Sequence, residues 1–423
     1  MLMSRLLMTG LVLGAVGQTY AADADLQIKV DWKTFLARHD LVWKAAPTGP
    51  FTGPFVGNGV VGAMLYQQED SLRLDIGRTD VAEHAPMDGK YSALARIGRL
   101  PIGHFELKPP APISGWDARL DLYQAEFVGK VRTARGDGRL RLFAHATEPV
   151  IVFEWKFPEK DGAAQLQWVS GDARVERGAR KSPHRNPPPE ITTRGEVNVC
   201  TQSRIFGGDY TTAWRDVALE DGTSRLFVSI VDRFPEKGSA DRAVAAVERA
   251  VAMDFDEFVQ PGGNPCSETY GATCHLLQEM LLQSWGGKIR VFPGVPPQWQ
   301  EAVFHNLRAQ GAFLVSAVRR EGKTGWIRIE SLAGEPCVVK ADFGGETLKV
   351  LANREMKLTP RSPGVWSLDL KKGEAAVLYA GDGKPKLEVA PVAMKEEKRN
   401  RYGLRTAHKP KTPKKNSEKK ENK

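Results

Sequence analysis

The sequence has few cysteines and no metal-binding pattern. Its four cysteines, Cys200, Cys266, Cys274 and Cys337, are too few and too scattered for a disulfide framework in a chain of 423 residues. The sequence leaves open one disulfide bridge between Cys266 and Cys274, although their spacing matches no metal site. Buried free thiols are the expected state, and the sequence predicts no metal ion and no cofactor.

Familiar catalytic motifs are also missing. The sequence contains no phosphate-binding glycine loop, no HExxH, no GxSxG and no paired CxxC. The glycine-rich segment PFVGNGVVGAML begins at Pro54, but a strand follows it rather than a helix. Dinucleotide binding needs that helix, because its N-terminus holds the phosphates. The segment therefore does not predict a nucleotide site.

Charge imbalance is confined to the C-terminal tail. The chain has a net charge of +9, but residues 395–423 hold 12 of its 60 Lys and Arg residues and only 4 of its 51 Asp and Glu residues. The remainder is nearly neutral, which argues against nucleic-acid binding by the folded domains. The tail has almost no apolar residues to bury, so we expect it to be disordered.

The N-terminus has the pattern of a secretory signal peptide. Arg5 precedes an apolar run from Leu6 to Val16, and small residues follow at Ala21 and Ala22. The run is too short to span a bilayer, which needs roughly 20 residues in a helix. We expect cleavage after Ala21 and a secreted or periplasmic protein. No later stretch is long and apolar enough to predict a transmembrane segment.

The remaining pattern is mainly β. Period-two alternation and short apolar runs such as VIVFEWKF predict many strands, with one Ala-rich helix and a second helix between two strand-rich regions. We predict a signal peptide (1–21), an N-terminal β-sandwich (28–236), a two-helix linker (239–285), a smaller C-terminal β-sandwich (286–385) and a disordered basic tail (394–423). Turns are expected at Asp137-Gly138, at Glu321-Gly322 and at Ser362-Pro363-Gly364, because glycine tolerates the positive φ that such turns need.

Two acidic sites are candidates for function. Asp75, Asp80, Glu83 and His84 cluster after a predicted strand, where rigidly held polar groups suit sugar hydroxyls. The alternative is a solvated loop with an internal pair between Arg78 and an aspartate.

Glu268 lies before the second helix and is the candidate catalytic carboxylate. Its alternative role is to serve the dipole and free N–H groups of that helix. A glycosidase needs two groups at a fixed separation across the scissile bond, and no convincing partner for Glu268 is evident.

Two segments resemble glycoside hydrolase family 95, the inverting α-L-fucosidases and related galactosidases. The segment PFVGNGVVGAMLYQQEDSLRLDIGRTDVAEH resembles the opening motif of the family's N-terminal β-domain. The segment EMLLQSWGGKIRVFPGVPPQW, continuing through FHNLRAQGAFLVSA, is similar to the junction between the last barrel helix and the C-terminal β-domain. The resemblance implies a chain related to enzymes that degrade polysaccharides.

The resemblance also implies a gap. In the family, an (α/α)₆ barrel with the catalytic residues lies between the two β-domains, and twelve helices with their connections need on the order of 300 residues. Here about twenty residues separate Val259 from Glu279. The family's catalytic Asn-x-Asn occurs nowhere in the sequence, and its general-acid glutamate has no matching segment. Only an acidic residue before the last barrel helix has a counterpart, Glu268.

Three functions follow as hypotheses. The first is a barrel-deleted homologue that binds oligo- or polysaccharide and lacks fucosidase activity by itself. The second is an active, inverting glycosidase with a site between the β-domains or with a separate barrel chain. The third is an envelope protein that binds glycans or acts structurally through its basic tail. Loss of a barrel would leave apolar faces uncovered, so we expect either closure of the domains or a homodimer.

Overall fold

The structure is a computed structural model that describes residues 26–86, 98–158, 162–175, 185–253 and 277–392. The chain is mainly β, as predicted, and divides into two compact units. The N-terminal unit contains the described residues between 32 and 253, and the C-terminal unit contains residues 277–392 together with 26–31. The predicted signal peptide, Glu268, the Cys266 and Cys274 pair and the basic tail lie outside the described residues.

The N-terminal unit is a sandwich of two antiparallel sheets. Its larger sheet has nine strands, in the spatial order β1 (Leu41–Trp43), β6 (Ile113–Asp121), β7 (Glu126–Thr133), β8 (Gly136–Ala144), β9 (Val150–Lys156), β14 (Ser224–Arg233), β13 (Asp209–Ala218), β12 (Val197–Ser203) and β11 (Glu190–Arg194). Its smaller sheet has five, in the order β10 (Gln165–Ser170), β5 (Gly103–Lys108), β4 (Ser71–Arg78), β3 (Val61–Gln68) and β2 (Phe55–Gly57). A short helix, α1 (Trp32–Ala37), precedes β1.

The core of this unit lies between the two sheets. Successive side chains of a strand point to opposite faces, so Leu140 and Leu142 of β8 enter the core while Arg139 and Arg141 point away from it. Leu72 and Leu74 of β4 contribute from the facing sheet. The outer face of the nine-stranded sheet is therefore not part of this core.

A helix covers one part of that outer face. Helix α2 (Ser239–Val251) buries an alanine- and valine-rich side that includes Ala243 and Val247 against Val152 and Phe227. The carboxylate of Asp209, at the start of β13, accepts hydrogen bonds from the backbone N–H groups of Gly238 and Ser239, at 2.9 and 3.0 Å. An acceptor in this place satisfies N–H groups that the first helical turn leaves without partners.

The C-terminal unit is a second sandwich of two five-stranded sheets. One sheet has the order β15 (Leu282–Gln283), β16 (Ile289–Val291), β20 (Cys337–Lys340), β23 (Val365–Leu368) and β22 (Thr359–Ser362). The other has the order β17 (Ala302–Ala309), β18 (Phe313–Arg320), β19 (Lys323–Ser331), β24 (Ala375–Ala380) and β21 (Leu348–Ala352). Its core includes Phe313, Ile327 and Leu378.

Residues 26–31 complete the C-terminal unit. The backbone of Lys29 bridges Glu388 in parallel, and the guanidinium of Arg328 donates to the carbonyl of Leu26 at 2.8 Å. Leu26 itself is buried. The segment is therefore held by backbone pairing and by burial of one apolar side chain.

The second predicted helix is only partly described. Residues 277–281 are helical, and the chain then changes to strand at Leu282 because Leu282 and Gln283 pair with Val291 and Arg290. The tertiary pairing therefore ends the helix four residues before Trp285, where the apolar helical pattern stops.

Two of the predicted turns are confirmed. Glu321 and Gly322 link β18 to β19 with φ values of 48° and 76°, the left-handed conformation that a two-residue hairpin loop requires. Pro363 and Gly364 link β22 to β23, and Gly364 has φ 70°.

The turn predicted at Asp137-Gly138 is wrong. β7 ends at Thr133 and β8 begins at Gly136, so Ala134 and Arg135 form the loop and Asp137 and Gly138 lie within β8. Gly138 meets a packing requirement instead, because a Cβ there would come within 2.8 Å of the Phe157 ring.

Candidate functional site

Asp75 lies within a strand, not in the loop that follows it. It occupies the outward-facing side of β4, where its two carboxylate oxygens accept hydrogen bonds from the Tyr66 hydroxyl and from Nε of Arg73, both at 2.8 Å. Burial, together with the hydrogen bond to Asp75, raises the pKa of Tyr66 to about 12. Across the strand pair, Asp75 faces His104. Asp75 is thus engaged by its own sheet, with 24% of its side chain exposed.

Asp80 is the most accessible member of the predicted cluster. The guanidinium of Arg78 holds it through two hydrogen bonds, from Nε at 2.6 Å and from Nη2 at 2.9 Å. The remaining Nη1 of Arg78 donates to the carbonyl of Ile230 in β14. This is the Arg78–aspartate pair that is expected if the segment is a solvated loop. Asp80 is fixed in position, yet 54% of its side chain is exposed.

Glu83 is buried, with only 1% of its surface exposed. Burial raises the pKa of its carboxyl, against the opposing effects of the Arg204 guanidinium and of a hydrogen bond with Asn186. Within the described part of the chain its Oε1 has no hydrogen-bond partner. A carboxyl in this setting favours the protonated form and is closed to solvent.

His84 stacks on Phe234 beside the same arginine. The two ring centroids are 3.7 Å apart and the planes differ by 16°. Burial and the Arg204 guanidinium lower the pKa of His84, and Asp232 opposes them. The imidazole is thus favoured in its neutral form, while Phe234 keeps 44% of its surface exposed.

Arg204 organises this region, and sequence reasoning did not find it. Its side chain is completely buried and donates to Asp232 Oδ1 at 2.5 Å, to the carbonyl of Arg233 at 2.6 Å and to the carbonyl of Gly207 at 3.2 Å. A longer contact of 3.4 Å reaches the carbonyl of Ala82, next to Glu83. We call Arg204, Asp232, Glu83, His84 and Phe234 the Arg204 cluster.

Local backbone geometry makes room for that arginine. Gly207 and Gly208, in the turn between β12 and β13, have φ values of 107° and 72°. A Cβ on Gly208 would lie 2.1 Å from the carbonyl oxygen of Arg233 and 2.7 Å from Nη2 of Arg204. The Gly-Gly pair after Arg204 was the one signal in the sequence that could have indicated the cluster.

The structure therefore separates the four predicted residues. Glu83 and His84 belong to the Arg204 cluster. Asp80 is linked through Arg78 to β14, the strand that contains Asp232 of that cluster. Asp75 is engaged instead on the outer face of the smaller sheet. Glu268, the candidate catalytic residue, lies outside the described residues.

The opening glycine-rich motif has a clear structural role. In the turn between β2 and β3, Oδ1 of Asn58 accepts hydrogen bonds from the N–H groups of Val60 and Val61, at 3.0 and 2.9 Å. Its Nδ2 donates to the carbonyls of His145 and Glu148, at 2.8 and 2.9 Å. Asn58 thus fixes its own hairpin and ties it to the loop between β8 and β9.

No group of three or more His, Cys, Asp or Glu side chains among the described residues is arranged to hold a metal ion. None of the helices found there has the length and apolar character that a membrane span requires.

Comparisons with known proteins match one segment of the chain to a family model and give two weak structural similarities. Residues 283–378 match the family model described as glycoside hydrolase family 95, C-terminal domain. A putative kojibiose phosphorylase from the human microbiome is a structural match with 13% identity and a TM-score of 0.35, covering 54% of this chain and 35% of that protein. The di-domain ARO/CYC StfQ from the steffimycin biosynthetic pathway matches with 11% identity and a TM-score of 0.09, covering 66% of this chain and 75% of that one.

These comparisons bear on the chain unequally. At such TM-scores the two structural matches carry no argument, and this chain spans only about a third of the length of the phosphorylase. No curated protein matches the chain. The matched segment lies within the C-terminal unit and runs from the end of β15 into β24. The resemblance to glycoside hydrolase family 95 that the sequence motifs indicated is therefore confirmed for residues 283–378, where the chain is family 95-like.

Proposed function

We propose that this chain is an exported carbohydrate-binding homologue of family 95 glycosidases that has no α-L-fucosidase activity by itself. One observation carries the proposal, namely the short distance along the chain between α2 and the family 95 domain. Helix α2 ends at Val251, and the matched segment begins at residue 283. A barrel of twelve helices needs on the order of 300 residues, so it does not fit in this interval.

The chemistry of the three candidate carboxylates discussed next agrees with an inactive protein. An inverting glycosidase needs an acid and a base about 6.5–9.5 Å apart on either side of the glycosidic bond. Glu83 has the raised pKa of an acid, but its burial keeps it from a substrate. Asp75 is engaged by Tyr66 and Arg73. Glu268 is the single carboxylate that the family resemblance supports.

Sugar binding is proposed at the exposed rim of the Arg204 cluster. The Phe234 ring is fixed by its stack on His84, and 44% of the residue's surface is exposed to solvent. Asp80 is an acceptor held in place by Arg78, which also binds β14 four residues before Phe234. An aromatic surface with a few fixed polar groups is the usual composition of a carbohydrate or small-ligand site.

Activity is tested with aryl α-L-fucoside and aryl α-L-galactoside. We expect the purified protein to release no more aryl alcohol than a heat-denatured sample. Turnover above that level that disappears in Glu268→Gln would overturn the proposal and favour an active enzyme.

Binding is tested by calorimetric titration with a neutral fucosylated oligosaccharide. We expect Asp80→Asn and Phe234→Ala each to weaken binding about tenfold, since each removes a main contact. Asp137→Asn and Phe51→Ala are the matched controls, because both positions are exposed in the same unit. Equal affinities for all four variants would place the sugar elsewhere.

A further inference from the structure

The outer face of the nine-stranded sheet carries a groove that the proposed function does not use. Helix α2 covers the apolar end of this face, where Phe143, Val152 and Phe227 lie. The neighbouring part, over strands β1, β6, β7, β8 and β9, is a groove of about 630 Å³. Six cationic and three anionic side chains line it: Lys44, Arg119, Lys130, Arg139, Arg141 and Lys156, with Asp117, Glu154 and Asp221.

One row of side chains across this groove neutralises its own charges. Arg141, Glu154 and Arg225 stand opposite one another on β8, β9 and β14. Glu154 lies 2.5 Å from Nε of Arg225 and 3.7 Å from Nη1 of Arg141, whose Nε also bonds Glu126 at 2.6 Å. Opposite charges alternate along the row, which is the favourable arrangement for facing side chains.

In the adjacent row, side chains of like charge face one another. Lys130 of β7 faces Arg139 of β8, and Arg139 faces Lys156 of β9. Like charges directly opposite each other are unfavourable, and here three follow one another over about 10 Å, two strand spacings. Lys156 has contacts with Asp221. Among the described residues, no carboxylate lies within 4.0 Å of Lys130 or Arg139, and both are exposed.

We propose that Lys130, Arg139 and Lys156 bind an acidic polysaccharide, whose uronate carboxylates lie across the row. A bound carboxylate would relieve the repulsion within the row, and the planar guanidinium of Arg139 can donate two parallel hydrogen bonds to it. The row offers one cation per strand, about 4.8 Å apart, which suits a polymer with one charge on each sugar ring.

The ends of the row argue for a polysaccharide over a nucleic acid. Asp117 lies beyond Lys130, paired with Lys44 at 2.6 Å, and Asp221 lies beyond Lys156. Asp117 and Asp221 repel any anionic polymer, but they can accept hydrogen bonds from the free hydroxyls of a polyuronate, which the backbone of double-stranded DNA does not offer. The proposal extends the proposed carbohydrate binding to a second surface, distinct from Asp80 and Phe234.

The test measures binding of the full chain to labelled polygalacturonate by fluorescence anisotropy at low salt. The double variant Lys130→Ala/Arg139→Ala is compared with Lys237→Ala/Arg242→Ala, which removes the same charge from exposed positions of the same unit. We expect Kd to rise about fivefold to tenfold in the groove variant and less than twofold in the control. The basic tail is identical in both, so it cannot produce the difference.

A second variant separates binding from folding. Arg139→Glu is expected to abolish the groove contribution while thermal stability holds or rises, because it places opposite charges beside Lys130 and Lys156. Dextran sulfate and double-stranded DNA are the competing polymers, and neutral dextran is the blank.

The proposal is overturned by any of three results. The first is a wild-type chain that does not bind polygalacturonate. The second is equal losses in the groove and control variants, which would reflect net charge alone. The third is a larger groove-dependent loss for DNA or dextran sulfate than for polygalacturonate. None of these readouts depends on fucosidase activity or on the neutral oligosaccharide site.

Discussion

Arg204, in the turn after β12, and Asp232, in β14, form a buried ion pair, with Nη1 2.5 Å from Oδ1. Arg204 is fully buried and 9% of the Asp232 side chain is exposed. Three carbonyls accept further hydrogen bonds from the guanidinium. The pair therefore joins the turn after β12, the end of β14 and the segment that carries Glu83 and His84.

Loss of Arg204 should destabilise the N-terminal unit strongly. Arg204→Ala leaves Asp232 buried without its counter-charge, and we expect a loss of roughly 3–5 kcal/mol in the free energy of unfolding. Arg204→Lys should fall between this variant and wild type, since a lysine cannot reproduce the fork of donors. Urea unfolding, followed through the transition of the N-terminal unit, measures the effect.

The matched control for that experiment is Arg242→Ala, because Arg242 is exposed on α2. It should change stability by less than about 0.5 kcal/mol. Similar losses of stability for Arg204→Ala and Arg242→Ala would show that the buried pair does not stabilise the N-terminal unit.

The pH dependence of stability should change in Glu83→Gln. Burial raises the pKa of Glu83 above its ordinary value of 4.5, so between these two pKa values the folded state binds more protons than the unfolded state. Stability due to this group is complete below the ordinary pKa and is lost as the pH rises through the folded pKa. Glu83→Gln should therefore be more heat-stable than wild type at pH 8, with the difference closing toward pH 4.5.

Melting temperatures of both proteins across this pH range provide the measurement, with the exposed Glu220→Gln as the control. A difference between Glu83→Gln and wild type that stays constant with pH would show that ionisation of Glu83 has no part in it.

The stability of the N-terminal unit should depend on the chemistry of the side chain at position 58. Asn58→Ala removes four hydrogen bonds, and we expect a loss of about 2 kcal/mol in the stability of the N-terminal unit. Asn58→Asp keeps the acceptor for Val60 and Val61 but turns a carboxylate oxygen toward two carbonyls. It should be at least as destabilising as the alanine variant.

Chemical denaturation of both Asn58 variants measures this, with Asn353→Ala as an exposed control in the other unit. An Asn58→Asp variant as stable as wild type would mean that the contacts to the loop between β8 and β9 are unimportant.

The thiols of Cys200 and Cys337 should resist alkylation in the folded protein. Both are buried and free, as the sequence predicted, and burial raises the pKa of both, that of Cys337 to about 12. Because the thiolate is the nucleophile, iodoacetamide at pH 8 should leave both unmodified until urea unfolds the chain. Peptide mass spectrometry gives the extent of labelling at each site. Rapid labelling without urea would be the contrary result.

Local features of the fold could be read from short segments. The Glu321-Gly322 hairpin was predictable because both loop residues need positive φ, a requirement that two residues express by themselves. The Asp137-Gly138 turn was not, because Gly136 and Gly138 offer the same conformational freedom. A Cβ on Gly138 would meet the Phe157 ring, a packing requirement that only the folded structure shows.

The candidate site was predicted only in part for a similar reason. The acidic loop was visible as a cluster in the sequence, and the accessible carboxylate Asp80 lies in it. The charge environment of Glu83 includes Arg204, which is far away in the sequence and is brought close by the pairing of β12, β13 and β14. No local pattern encodes that register.

The sequence by itself determined that the chain is mainly β and that its C-terminal domain is family 95-like, and it predicted that too few residues separate the two units for a catalytic barrel. These properties follow from alternation, from an extended motif and from chain length. Only the tertiary structure decided which carboxylates are buried, which are paired and which face solvent. The physical reason is that desolvation and Coulomb interactions depend on distances between strands, and cross-strand register alone places Lys130, Arg139 and Lys156 in one row.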